Sequence, residues 1–209
     1  MAFDPKTFKA PFIDQQKCWQ EADQFRQQYW RSGEIPVDVL AIAEFDLELE
    51  FKPITRLKED VDIDALLLSD WKTIIVDQQQ YMDDRYLNRL RFSIAHELGH
   101  YVLHKEVYDQ IPQTSADEWI YFMRSIPEKE YSFIEYQANE FAGRLLVPVG
   151  NLKEEFEKCL VQTEQGGMPR NRLSDAHLAY FCNPLSKTFA VSTDVIERRI
   201  TREQLWPLY

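Results

Sequence analysis

Three of the four histidines fall within one short stretch, His96-Glu97-Leu98-Gly99-His100 followed by His104. On a helix, positions i and i+4 share a face with Cβ atoms about 5–6 Å apart, so two imidazoles there reach one metal ion. Glu97 stands one step round the helix, where it can take a proton from a water that the ion activates. The chemistry written in these five letters is metal-assisted hydrolysis, with His96 and His100 as ligands and Glu97 as general base. The competing reading is an ordinary turn of helix that carries two histidines by accident.

A catalytic zinc takes three protein ligands and a water. His104 is a poor third ligand, because three successive i+4 histidines on one straight helix cannot converge on a tetrahedral ion. It is expected behind the ligands, toward substrate, or on the surface. Glu135 is the better candidate, beside the apolar stripe of a later helix. Ser132 and Glu135 also fit an S-x-x-E capping box, which would make Glu135 a helix-start residue instead. Ser125, Pro127 and Glu128 offer an earlier start and favour the ligand role. Asn139, one turn beyond Glu135, would face the same site and orient a ligand. Tyr136 is a further candidate for substrate contact, and Tyr101, Tyr131, Tyr136, His104 and His177 are the candidate oxyanion donors.

The site needs a frame. Cys18, Ala22, Phe25 and Tyr29, spaced four, three and four, predict an amphipathic helix over residues 14–31, closed by Gly33 and Pro36, with a short helix over 37–43 after it. Phe45, Leu47, Leu49 and Phe51 alternate with Asp46, Glu48 and Glu50, which predicts a strand with an acidic outer face. The apolar runs 65–68 and 73–76, separated by Ser69-Asp70-Trp71-Lys72, predict an antiparallel hairpin. Asp83 and Asp84 supply N-terminal carboxylates for a long helix to 104 with an apolar stripe of Leu87, Leu90, Ile94, Leu98 and Val102. Residues 111–130 read as a loop with a short aromatic helix. Ile134, Ala138, Phe141, Ala142 and Leu145 then mark another helix, stopped by Pro148. Residues 162–171, with Gly166-Gly167 and Pro169, read as a linker. The expected class is α+β, with a small mixed or antiparallel sheet packed on the active-site helix.

Composition narrows the function further. With 35 Asp and Glu against 24 Lys and Arg, the formal charge is −11, a field that repels phosphate backbones and anionic lipid. Cys18, Cys159 and Cys182 lie far apart without C-x-x-C spacing, so reduced thiols and a cytoplasmic location are expected. No apolar run reaches the roughly 18 residues of a spanning helix, and none of the six glycines builds a G-x-G-x-x-G, P-loop or G-x-S-x-G motif. Residues 161–209 are expected as a helical segment beside a domain over 1–160 that carries the histidine motif. Arg198 and Arg199 in a Ser-capped helix also resemble the second half of a helix-turn-helix, although direct nucleic-acid binding is disfavoured by the charge.

The segment 88–104, NRLRFSIAHELGHYVLH, together with Glu135-x-x-Ala138-Asn139-x-Phe141-Ala142-x-x-Leu145-Leu146-x-Pro148, resembles the ImmA/IrrE zinc metallopeptidases. The resemblance spans the middle third of the chain. It implies a compact gluzincin-like fold, Zn²⁺ held by His96, His100 and Glu135, Glu97 as base, and a protein substrate, a bacterial phage-type or stress-response repressor. Gln137 departs from the pattern, standing where the family often carries a second carboxylate. A function of a different class stays open beside it: a non-catalytic regulatory or toxin/antitoxin-type binding module with a structural metal.

Overall fold

The computed structural model describes residues 5–108 and 115–206. Its first long helix, α1 (Gln15–Tyr29), starts where expected because the Asp14 carboxylate accepts from the Lys17 N–H at 2.8 Å, and it buries Cys18, Ala22 and Phe25. Ahead of it a strap over residues 8–14 lies along the later helix α4 (Glu128–Leu146). Ala10 N–H and Lys9 Nζ both donate to Glu130, at 2.9 and 3.0 Å.

The predicted strand over residues 45–51 is not formed. A helical turn at Val39–Ala41 runs into a π-helical turn at Ile42–Asp46, and Leu47 N–H and Leu49 N–H return to Ile42 O and Ala43 O. Glu48 sits in the left-handed region at φ 54, which no continuous strand allows, and Phe45 is 74% exposed. The alternation of letters therefore reflects a turn anchored by buried Leu49 rather than a pleat. The strand begins later, as β1 (Glu50–Ile54).

The hairpin forms as predicted, from β2 (Ala65–Leu67) and β3 (Thr73–Asp77), paired antiparallel with Leu66 opposite Ile75. β1 joins β3 in parallel, Phe51 opposite Ile74, giving the order β1-β3-β2. The sheet is small and mixed. Pro53 is tolerated because β1 is an edge strand, where a missing N–H costs no ladder bond. Period-two alternation sends Ala65, Leu67, Ile74 and Val76 to the main core and Leu66, Leu68 and Ile75 to a second cluster with Phe8, Phe122 and Ile134. Burial on both faces explains why these strands read as unbroken apolar runs.

A 3₁₀ turn at Asp84–Tyr86, with Asp83 accepting from the Arg85 N–H at 3.0 Å, leads into α2 (Leu87–Leu103). Leu90, Ile94 and Leu98 are buried as the stripe requires, while Leu87 is exposed and Val102 only half-buried. The aromatic stretch contains a short helix, α3 (Ala116–Ser125); residues 111–114 of the expected loop lie outside the described part of the chain. α4 starts after Pro127, so Ser132 is inside the helix and caps nothing. α2 and α4 cross closely at Gly99, where a Cβ would stand 3.0 Å from both Cα and O of Ala138. That contact brings the motif helix and the Glu135 helix together.

After Pro148, α5 (Val149–Gln165) runs four residues into the stretch expected as linker. Its end at Gly166-Gly167 leads through Pro169 to α6 (Asp175–Phe189) and α7 (Thr193–Arg202), the latter capped by Ser192. Leu178, Phe181, Leu185, Phe189, Ile196 and Ile200 enter the same core as Ile94, Leu98 and Phe141. Arg199 is buried with its guanidinium 4.7 Å from the Trp19 ring and paired with Glu203, so this arginine faces inward.

Candidate metal centre

α2 delivers two imidazoles to one point because 3.6 residues per turn put His96 and His100 on its face toward α4. Their Nε2 atoms are 3.0 Å apart. From α4, Glu135 Oε2 lies 3.3 Å from His96 Nε2, and Oε1 lies 3.5 Å from His100 Nε2. Two ligands each about 2.0–2.1 Å from a tetrahedral zinc stand roughly 3.3–3.4 Å apart. The two imidazoles and one carboxylate thus match the donor chemistry and spacing of such an ion.

Glu97 offers a second carboxylate, since His96, Glu97 and His100 carry ligand atoms all within 4.8 Å of one another. Its surroundings differ from those of Glu135. Glu97 is buried, and Oε2 accepts the backbone N–H of Leu67 in β2 at 2.8 Å. Glu135 instead spans both imidazoles. A cleft of about 400 Å³ opens here, lined by His96, Glu97, His100, Tyr131, Glu135 and Asn139, with Ala65 and Leu66 of the edge strand β2 along one side.

Charge follows this arrangement. Burial would push His96 down, but ionised Glu135 beside it holds the imidazole up, to about 9. Burial would push Glu135 up, and the two imidazoles hold it well below the usual carboxylate range. For Glu97 burial prevails over the pull of His100 and His96, so its pKa is raised. Tyr131 is raised by burial and by the neighbouring Glu135 charge, which keeps its hydroxyl protonated.

The remaining sequence candidates separate cleanly. Asn139 Oδ1 faces His96 Nδ1 at 3.2 Å, one turn beyond Glu135 as expected. Because an amide oxygen only accepts, this contact puts a proton on Nδ1 and leaves Nε2 as the nitrogen turned to Glu135, where a metal would replace its proton. His104 is fully buried behind His100, their Nδ1 atoms 2.9 Å apart, and burial lowers it to about 3. Tyr136 does not line the cleft; it borders a separate groove with Phe12 and Phe133, under the Arg202 guanidinium. Among the oxyanion candidates only Tyr131 lines the cleft: Tyr101 packs on Trp71, and His177 closes the capping box of α6.

Two contacts around the site are not legible in the sequence. The Leu67 N–H that holds Glu97 is a backbone group and has no letter of its own. Gln137, noted only as a departure, accepts from His104 through Oε1 at 2.8 Å. The i+4 spacing of His104 from His100 was the available signal.

Residues 83–201 match the family Peptidase_M78, the IrrE N-terminal-like domain. No curated protein matches the chain. Among the described residues no helix is long and apolar enough to cross a membrane. The match takes in α2, α4 and both C-terminal helices, more than half of the chain, and the chain belongs to this IrrE N-terminal-like family of peptidases.

Proposed function

We propose that the protein is a cytoplasmic zinc endopeptidase of H-E-x-x-H type, with His96, His100 and Glu135 as ligands, Glu97 as general base, and a bacterial DNA-binding repressor as substrate. The observation that carries the reading is the convergence of His96 Nε2 and His100 Nε2, 3.0 Å apart, with Glu135 Oε2 at 3.3 Å from the first and Oε1 at 3.5 Å from the second, and a buried carboxylate held beside them. Glu135 is preferred over Glu97 as third ligand because it faces both imidazoles, whereas one oxygen of Glu97 is already committed to Leu67. The repressor rests on the resemblance alone.

A zinc ion in this donor set supplies Lewis acidity, which acidifies water and polarises a carbonyl. Leu67 N–H fixes Glu97 Oε2 and leaves Oε1 as the oxygen that takes the proton of the attacking water. Burial raises its affinity for that proton, matching a group that must hold it briefly and return it to the leaving amine as the C–N bond breaks. The Tyr131 hydroxyl lines the cleft and donates toward charge developing on the carbonyl oxygen. The edge strand β2 runs along the cleft wall, and with the Leu67 N–H taken by Glu97 it is the Ala65 backbone that is left to pair with an extended peptide.

The test is Glu97→Gln. It should retain zinc at the wild-type stoichiometry while cleavage of a repressor encoded beside this protein falls by at least about 10³-fold, a general-base contribution at the middle of the usual range. Cleavage at the wild-type rate would remove Glu97 from the role. Zinc binding without cleavage of any protein by the wild type would favour the non-catalytic binding module.

A further inference from the structure

Behind the donor set lies a chain of hydrogen bonds whose direction is fixed from its far end. Gln137 Nε2 is 2.8 Å from Pro11 O and 3.4 Å from Ile13 O. Carbonyl oxygens only accept, so the amide nitrogen must be the atom facing them; the flipped amide would set oxygen against oxygen. Gln137 Oε1 is then the atom at 2.8 Å from His104 Nε2, and that nitrogen must carry a proton. His104 is fully buried and bonded to Gln137 and His100 with no carboxylate in hydrogen-bond contact, so it stays neutral, and a neutral imidazole protonated at Nε2 has its lone pair on Nδ1. His104 Nδ1 therefore accepts from His100 Nδ1 at 2.9 Å, which places a proton of His100 on Nδ1 and leaves Nε2 as the nitrogen open to a metal. His100 Nε2 is the atom turned toward His96 and Glu135.

We propose that Gln137 and His104 are positioning residues that lock His100 in its Nε2-ligating tautomer, with the strap carbonyls of Pro11 and Ile13 as the anchor. The inference rests on the assignment of His96, His100 and Glu135 as metal ligands. Gln137, His104 and His100 are all at most 2% exposed, so water does not compete for these bonds. The strap is held along α4 on both sides of the anchor, by Glu130 through Lys9 and Ala10 and by Glu140 through Gln15 Nε2 at 3.0 Å. A ligating histidine is ordinarily oriented by one carboxylate or carbonyl in direct contact. Here the carbonyl acts through two intervening side chains, and the metal site is tied to a segment more than 80 residues earlier in the chain.

The test has two readouts. Nitrogen-15 NMR of the imidazoles in the full-length wild type, metal-free and zinc-loaded, should show His104 neutral and protonated at Nε2 in both, with His100 protonated at Nδ1. Finding His104 protonated at Nδ1 would overturn the relay whether or not zinc binds. Gln137→Met keeps the volume and removes both hydrogen-bonding ends. Its zinc affinity, measured by competition with a chromogenic chelator, should fall about 10–100-fold, the usual effect of losing a ligand-orienting partner. Gln137→Glu keeps an acceptor toward His104 but sets its second oxygen against the Pro11 and Ile13 carbonyls, so it should recover only part of that loss. Equal affinity in Gln137→Met and wild type overturns the relay. A wild type that binds no zinc yet shows the expected tautomers would overturn the ligand assignment and leave the hydrogen-bond order intact.

Discussion

Gly99 lies between the two histidines and meets Ala138, one turn beyond Glu135, so Gly99→Ala perturbs the crossing on which the donor set depends. The new Cβ would stand 3.0 Å from Ala138 Cα, 3.0 Å from Ala138 O and 3.3 Å from Phe141 Cβ, against 3.4–4 Å for ordinary contact. Two of those three neighbours are backbone atoms, which cannot rotate away, so the helices must part by at least 0.4 Å, the difference between 3.4 and 3.0 Å. Helix propensity favours alanine by about 1 kcal/mol. Overpacking costs about 1–3 kcal/mol, so the net change is a loss of about 0–2 kcal/mol. Metal binding should suffer separately, because a site holds its distances within about 0.2 Å and the opening is twice that. Zinc affinity should fall by about tenfold or more, read by chelator competition alongside thermal unfolding of the metal-free protein. Gly150→Ala is the control: it meets nothing within 4 Å and should leave zinc affinity unchanged. A Gly99→Ala protein with wild-type zinc affinity and a raised melting temperature would refute the reasoning.

Two further perturbations probe the frame. Burial would raise the Asp64 carboxyl, but Arg89 at 2.9 Å, Gln80 and Lys58 at 3.3 Å hold it below its ordinary value. A depressed native pKa gives stability that is complete above the unfolded value of about 3.9 and is lost as pH falls through the lower native one. Asp64→Asn should therefore cost up to about 1 kcal/mol at neutral pH, discounted for partly exposed partners, and less as the solution is acidified. Urea unfolding across a pH series checks this, and a gap that widens toward acid would contradict it. Asp14→Ala removes the cap of α1 and should cost about 1 kcal/mol, or about 2–4 °C in melting temperature for a chain of this size.

What was legible in the sequence is what local periodicity and letter chemistry encode. The 3.6-residue stripe of Leu90, Ile94 and Leu98 fixes which face of α2 is buried, and hence where His96 and His100 point. The apolar runs of β2 and β3 show as strands because both faces are buried. Glu135 was readable as a side chain of a helix that starts near Pro127, and its distance from the histidines was not, because that depends on the Gly99–Ala138 contact. The strand expected over residues 45–51 failed because period two in the letters says nothing about φ, and Glu48 adopts a left-handed value. β1 itself is held by parallel pairing to β3, a long-range partner that its own letters do not name. The Gly166-Gly167 pair marks the end of α5, yet the polar residues before it continue the helix on good propensity. The grip of Leu67 N–H on Glu97 and the strap's hold on Gln137 join segments 30 and more than 120 residues apart, and only the folded chain brings them together.

The most direct test is the metal content of the wild-type protein and of Glu135→Ala, both purified without added metal and measured by elemental analysis. The account predicts about one zinc per wild-type chain and a sharp loss in the variant, because one of three ligands is gone. Zinc retained at the wild-type level in Glu135→Ala, or none in the wild type even after zinc is supplied, would contradict it.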